Sequence, residues 1–296
     1  VETPPSTLEA VVQHPCQLGE GPVWDAHTQT LLWIDLLGGD IHEFTPATGT
    51  HSTVSVGQMV GAVALRRGGG LVAALQHGFG FVNRQTGEVT MVASPEAALP
   101  GNRFNDGKCD PAGRFWAGTT SYAELPNQAS LYCLEADGTV KRQHQPVSMS
   151  NGLAWSPDGQ TLYYIDTPTY EVVAFAYDQA TGTIRAPQTV IQFTAGDGYP
   201  DGMTIDAEGM LWVAFWGGWR VGRYNPHTGQ LLHCIWLPVA QVTSCTFGGP
   251  ELRDLYITSA RTGLSEPQLR TQPRAGALFV LKDCGFQGLP TNEFNG

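Results

Sequence analysis

Apolar residues in this chain fall in short runs, rich in aromatic and β-branched side chains, that Gly, Pro, Asp and Asn interrupt every few positions. Runs of that kind read as β-strands joined by hairpins, and no long stretch shows the 3.6-residue spacing of an amphipathic helix. The one weak helical stretch, 95–99, reads as a single turn in a loop. The runs also repeat. Leu32-Trp33-Ile34, Leu71-Val72-Ala73, Phe115-Trp116-Ala117, Tyr163-Tyr164-Ile165, Leu211-Trp212-Val213 and Leu255-Tyr256-Ile257 are six versions of one strand. Their middle residues (33, 72, 116, 164, 212, 256) lie 39, 44, 48, 48 and 44 positions apart. A second strand ending in a Thr-Gly type turn follows at 41–49, 81–87, 131–138, 173–182 and 221–229, with a degraded sixth copy at 278–285.

A unit of about 45 residues holds about four short strands, which is one propeller blade, and six blades need about 270 residues. The chain has 296. The pattern therefore predicts an all-β fold, a six-bladed β-propeller forming one domain over residues 1–296. A two-sheet sandwich has turn signals at similar spacing but gives no reason for a sixfold repeat. A lone strand at 8–13 precedes the first copy. It is expected to complete the last blade beside 278–281 and so close the ring without an exposed edge.

Composition narrows the class of partner. There are 16 basic and 27 acidic residues, a net charge of −11, and no basic run longer than Arg66-Arg67. Nucleic acid and anionic membranes need clustered positive charge, so neither is an expected partner, and no obligate protein partner is evident. No apolar run reaches the 18 or so residues of a membrane-crossing helix. Residues 1–5 lack the basic and apolar regions of a signal peptide, and a cytoplasmic location is the expectation. Val1 in place of Met is compatible with processing or trimming. The six cysteines form no Cys-x-x-Cys pair, so no thiolate zinc site is expected, and Cys133 and Cys234 read as small buried hydrophobes. None of the eight histidines pairs at a metal-binding spacing; His77, at a strand end, faces either the channel or solvent.

A third pattern opens each unit: one variable residue, usually Gly, then an apolar strand. Its copies begin at Glu20, Val60, Asp106, Asn151, Asp201 and Ser244. In a propeller, equivalent positions on the innermost strands ring the mouth of the central channel. Glu20, Asp106, Asn151 and Asp201 bring oxygen to that ring, and Asn105 adds another. Asn or Asp before Gly is an ordinary turn former, but Glu is a poor one, and four equivalent copies exceed what turns require. Gathered carboxylates raise each other's pKa, and an all-oxygen set suits a hard divalent cation such as Ca²⁺, Mg²⁺ or Mn²⁺.

Five segments carry a resemblance: Gly19-Glu20-Gly21-Pro22-Val23-Trp24, Asn102-Arg103-Phe104-Asn105-Asp106-Gly107-Lys108, Asp110-Pro111-Ala112-Gly113-Arg114, Ser150-Asn151-Gly152-Leu153 and Pro200-Asp201-Gly202-Met203. Together with Thr243-Ser244-Cys245-Thr246-Phe247-Gly248-Gly249 they resemble the senescence marker protein / gluconolactonase family, which includes regucalcin and sugar lactonases. The resemblance implies one divalent cation in the channel, Ca²⁺ favoured over Zn²⁺, Mn²⁺, Mg²⁺ or Fe²⁺, with Glu20, Asn151 and Asp201 as its ligands. It implies Arg103 and Asn105 as substrate-binding residues. Regucalcin-like members carry a further substrate-contacting Glu where ungapped counting puts Ala123; Glu124, one position on, is the candidate for that role. Trp216-Gly217-Gly218-Trp219-Arg220 is more like bacterial sugar lactonases, and its two Trp either stack on a sugar ring or pack between blades.

The expected activity is metal-dependent hydrolysis of a sugar-acid lactone, with Asp201 as general base and no covalent intermediate. No Gly-x-Ser-x-Gly elbow is present. Two alternatives stand beside it: a phosphotriesterase or fluorophosphatase on the same propeller, and a non-catalytic calcium-binding propeller. Fold alone does not choose among the three.

Overall fold

A computed structural model describes residues 7–296. The expectations drawn from residues 1–5 lie outside the described part. Twenty-four strands form six four-stranded antiparallel sheets. Five sheets are built from consecutive strands, and the sixth takes three strands from the C-terminal end and its outermost strand, Leu8–Val12, from the N-terminal end. That strand pairs antiparallel with Leu278–Leu281, so the two ends of the chain share one blade.

The innermost strands are Gly19–Asp25, Val60–Leu65, Asn102–Cys109, Ser150–Trp155, Tyr199–Ile205 and Val242–Gly248. Each lies against the innermost strand of the blade before and after it, and the sixth lies against the first, closing a ring.

The core is divided into six apolar clusters, one between each pair of neighbouring blades. This explains why the second strands read as continuous apolar runs. Successive side chains on a strand point to opposite faces, and here both faces are covered. In Thr30–Asp35, Leu31 and Trp33 pack toward the sixth blade while Leu32 and Ile34 pack toward the second. The outer strands are largely exposed; Thr50–Ser55 is polar, whereas Leu231–Trp236 exposes Leu231, Leu232 and Trp236.

Two acidic hairpin residues do more than turn the chain. Asp110 accepts from Trp116 Nε1 at 2.9 Å, Tyr177 Oη at 2.6 Å and Arg114, and Asp206 accepts from Trp212 Nε1 at 2.9 Å and Arg223 Nε at 2.7 Å. Each ties its hairpin to the indole of its own second strand. Residues 95–99 form turns. A six-residue helix, Glu266–Thr271, interrupts the last blade where the pattern gave no helical signal. Among the described residues no helix is long and apolar enough to cross a membrane.

Candidate active site

Every innermost strand breaks register with its neighbour near its start. The breaks fall between Glu20 and Val23, Val60 and Ala62, Phe104 and Gly107, Ser150 and Leu153, Pro200 and Met203, and Val242 and Ser244. A bulge leaves residues unpaired and bends the strand, which re-aims their side chains.

The ladders also fix which residues are equivalent. The first residues of the six inner hairpin turns are Asp25, Arg66, Asp110, Ser156, Asp206 and Gly248. Five positions before them stand Glu20, Gly61, Asn105, Asn151, Asp201 and Thr243. The sequence alignment on Val60, Asp106 and Ser244 is thus one residue out of step in three blades. The misleading signal was the Gly that follows each variable residue. Gly107 follows Asp106, but it answers a different need: a Cβ there would meet the Trp116 carbonyl oxygen at 2.6 Å. Gly152 and Gly202 lie where the next blade's innermost strand leaves no room, a Cβ on Gly152 lying 2.7 Å from Met203 Cβ.

Four of the six equivalent residues therefore carry a carboxylate or amide oxygen: Glu20, Asn105, Asn151 and Asp201. Glu20, Asn151 and Asp201 are 8%, 3% and 6% exposed. The two amides are held in a defined orientation. Thr167 Oγ1 lies 2.8 Å from the Pro200 carbonyl and donates its only hydrogen there, so it accepts from Asn151 Nδ2 at 2.7 Å. That fixes the Asn151 amide with Oδ1 on the other side, 3.2 Å from Asn105 Nδ2. Asn105 Nδ2 also donates to the Ser150 carbonyl at 2.8 Å, and Asn105 Oδ1 accepts from Arg103 at 2.8 Å. Arg103 gives a further hydrogen bond to the Phe104 carbonyl.

The carboxylates are not neutralised. Among the described residues Glu20, Asp106 and Asp201 form no ion pair. Burial pushes the Glu20 carboxyl well above the usual range, with Asp201 and Asp106 adding to the rise and Arg103 opposing it least of all. Burial and the charge of Asp106 do the same to Asp201. Asp106 is itself raised by burial, against the pull of Lys108. Lys108, two residues further along the strand, donates to the Met203 carbonyl at 2.7 Å, and burial lowers its pKa.

Two cavities lie near these residues. One of about 290 Å³ sits between the second and third blades, beside the start of Asn102–Cys109, and is lined by Arg103, His77, Tyr122, Asn102 and Glu96, with none of Glu20, Asn105, Asn151 and Asp201 in its wall. His77 is exposed at its rim. The other, about 320 Å³, lies toward the opposite end, where Asp106, Lys108 and the C-terminal segment 289–292 line it. Glu124 is exposed on the loop after Phe115–Ser121, in a left-handed conformation at φ 51°. Burial lowers the Arg103 pKa, and the carboxylates of Glu20 and Glu124 oppose that only in part. Trp216 packs over Gly263 near Gln241, whereas Trp219 is 40% exposed. Cys133 is buried, but Cys234 is only partly so. Thr167 and Tyr122 went unnoticed in the sequence; neither belongs to the repeated pattern.

Comparison with known proteins gives a consistent result. The family profile described as "SMP-30/Gluconolactonase/LRE-like region" matches residues 18–261. The chain is 41% identical over 294 residues to a regucalcin of Xenopus laevis, covering 98% of each chain. It is also 41% identical over 275 residues to a putative sugar lactone lactonase, YvrE, of Bacillus subtilis (strain 168), covering 92% of this chain and 94% of the relative. Among solved structures it resembles a calcium-binding protein, regucalcin, of Agrobacterium tumefaciens with a TM-score of 0.94 at 30% identity, over 99% and 98% of the two chains.

Proposed function

This chain belongs to the SMP-30/gluconolactonase/LRE-like family, and from that premise we propose that it hydrolyses a sugar-acid lactone with a divalent cation held by Glu20, Asn151 and Asp201. The observation that carries the reading is the pair of buried, uncompensated carboxylates, Glu20 and Asp201, on the ring that also presents Asn151 Oδ1. Like charges left so in a low-dielectric site are unfavourable unless protonated or shared by a cation. The donor set fits a hard ion: three oxygens, one of them on an amide whose orientation Thr167 fixes. Ca²⁺ is favoured on that chemistry.

A divalent cation in that place supplies Lewis-acid polarisation of the lactone carbonyl and acidifies water. The chain's own residues do the rest. Arg103, whose planar guanidinium suits hydroxyl and carbonyl oxygens, lines the cavity of about 290 Å³, and Asn105 is held beside it. Asp201 takes a proton from the attacking water as the new C–O bond forms. When the tetrahedral species collapses, the ring C–O bond breaks and the same proton passes from Asp201 to the leaving alkoxide. The product is the open-chain aldonic acid. Glu124, exposed on the loop after Phe115–Ser121, is the acidic residue proposed to meet the substrate.

The test is turnover of gluconolactone, xylonolactone and galactonolactone, with a paraoxon-type ester as control. Chelator-stripped protein and Asp201→Ala should both lose lactone turnover, and Ca²⁺ or Mn²⁺ should restore only the former. Retained turnover in both preparations refutes the reading. Cation binding with no turnover of any lactone supports the non-catalytic calcium-binding alternative.

A further inference from the structure

Where the closing segment crosses the first blade, the fold gathers four side chains that the sequence keeps apart. His14 and Cys16 lie on the segment that leads from the closing strand, Leu8–Val12, into the first innermost strand. His42 is on the third strand of that blade, Asp40–Thr45, and His51 on its outermost, Thr50–Ser55. We propose that His14, Cys16 and His42 form a second metal site, for a borderline-soft ion of the Zn²⁺ class, that staples the closing segment to the first blade.

Geometry carries the case. One ligand atom from each of the three residues lies within 4.8 Å of the others. Cys16 Sγ is 3.6 Å from His42 Nε2. A tetrahedral ion with a metal–sulfur bond of about 2.3 Å and a metal–nitrogen bond of about 2.0–2.1 Å separates those two donors by about 3.6 Å. The edge is therefore already at the required length.

The surroundings orient the donors. His42 Nδ1 lies 2.9 Å from Thr53 Oγ1 and 3.1 Å from His51 Nε2. Carrying the proton on Nδ1 satisfies these contacts and leaves the Nε2 lone pair facing Cys16, the usual arrangement of a metal-bound histidine. The Trp33 indole stacks on His42 with centroids 4.9 Å apart and on His51 at 5.3 Å, which fixes both ring planes. Cys16 and His42 are fully buried, whereas His14 is exposed, so the site has a dry floor and one ligand on the solvent side. That leaves a fourth position for water.

The same segment is fastened elsewhere by weaker means. Asp35 accepts from the backbone of Gln17 at 2.7 Å and Leu18 at 3.0 Å, and the Cys16 amide donates to the Gly276 carbonyl at 3.2 Å, just before the last blade's strand Leu278–Leu281. An ion on Cys16 thus bears on the joint where the two ends of the chain meet. Sulfur and imidazole nitrogen select Zn²⁺ or a similar ion over Ca²⁺ or Mg²⁺, so the two sites differ in the metals they prefer.

The experiment is a titration of the chelator-stripped full chain with Zn²⁺ and Co²⁺, following stoichiometry by calorimetry, thermal melting, and the thiolate-to-cobalt charge-transfer band. The variants are His14→Ala, Cys16→Ser and the channel variant Glu20→Gln. We expect a Zn²⁺ equivalent that Glu20→Gln keeps, and whose affinity falls more than tenfold in His14→Ala and Cys16→Ser. The cobalt band should be present in the parent and in Glu20→Gln and absent in Cys16→Ser. Zn²⁺ should raise the melting temperature of Glu20→Gln but not of the double variant Glu20→Gln/His14→Ala, and the lactone turnover of His14→Ala should match the parent's. Because His14 is exposed, its replacement leaves the fold intact and keeps the test decisive. Unchanged Zn²⁺ affinity in both His14→Ala and Cys16→Ser, or loss of all Zn²⁺ binding in Glu20→Gln, overturns the proposal.

Discussion

Replacing Thr167 by Val tests how Asn151, the amide of the proposed cation site, is held. Val matches Thr in shape and removes only the hydroxyl. That hydroxyl accepts from Asn151 Nδ2 at 2.7 Å and donates to the Pro200 carbonyl at 2.8 Å, at a residue that is 6% exposed. Without it, Asn151 keeps one orienting contact, Asn105 Nδ2 to Oδ1 at 3.2 Å, and both amide faces become nearly equivalent. A buried donor left unsatisfied costs about 1–3 kcal/mol. Loss of a residue that orients a ligand typically weakens metal binding by about 10–100-fold, which is about 1.4–2.7 kcal/mol at 1.36 kcal/mol per decade. The two estimates agree. Calorimetric titration of Thr167→Val with Ca²⁺ and Mn²⁺ should show that loss, with turnover recovering at saturating metal, while Thr167→Ser stays within about threefold of the parent. Parent-like affinity in Thr167→Val, or equal losses in the Val and Ser variants, refutes the reasoning.

The remaining predictions concern stability. In the metal-free protein Glu20 and Asp201 have raised pKa values. The stability that their neutral forms allow is present below the unfolded values of about 4 and is lost as pH rises through the folded ones. Metal-free parent should therefore melt at progressively lower temperature above pH 4; Asp201→Asn should flatten that slope and melt higher at pH 7 while losing turnover, and an unchanged slope contradicts the assignment. Gly61→Ala places a Cβ 2.7–2.8 Å from backbone atoms of Phe104 and Asn105. Backbone there has no room to yield, so urea unfolding should show a loss of about 1–3 kcal/mol and turnover should fall through the displaced Asn105. Asp206→Ala strips Trp212 and the buried guanidinium of Arg223 of their shared acceptor. Arg223 keeps Glu208 at 2.6 Å, so denaturation should report the cost of the lost buried hydrogen bonds, about 1–3 kcal/mol.

The sixfold period made the propeller legible, because each blade needs the same turn residues and the same apolar second strand. Trp33, Trp116 and Trp212 each mark that strand, and the cluster walls around them follow from strand periodicity. Glu20, Asn151 and Asp201 were readable as a ring because they occupy one position of the repeat. Register was harder. Asp106-Gly107 imitates Asn151-Gly152, and only the hydrogen-bonded ladders reveal that Asn105 is the equivalent residue. Thr167 and Tyr122 come from connections that differ between blades, where the repeat carries no information. The His14, Cys16 and His42 group has no spacing signal, since it exists only once the closing segment is laid across the first blade.

Anomalous diffraction from crystals grown with Mn²⁺ and a non-hydrolysable lactone analogue tests the central claim most directly. The account predicts a peak bounded by the side-chain oxygens of Glu20, Asn151 and Asp201, with the analogue in the cavity beside Arg103. A strong peak elsewhere and none at that ring, or an analogue bound only in the opposite cavity beside Lys108, would contradict it.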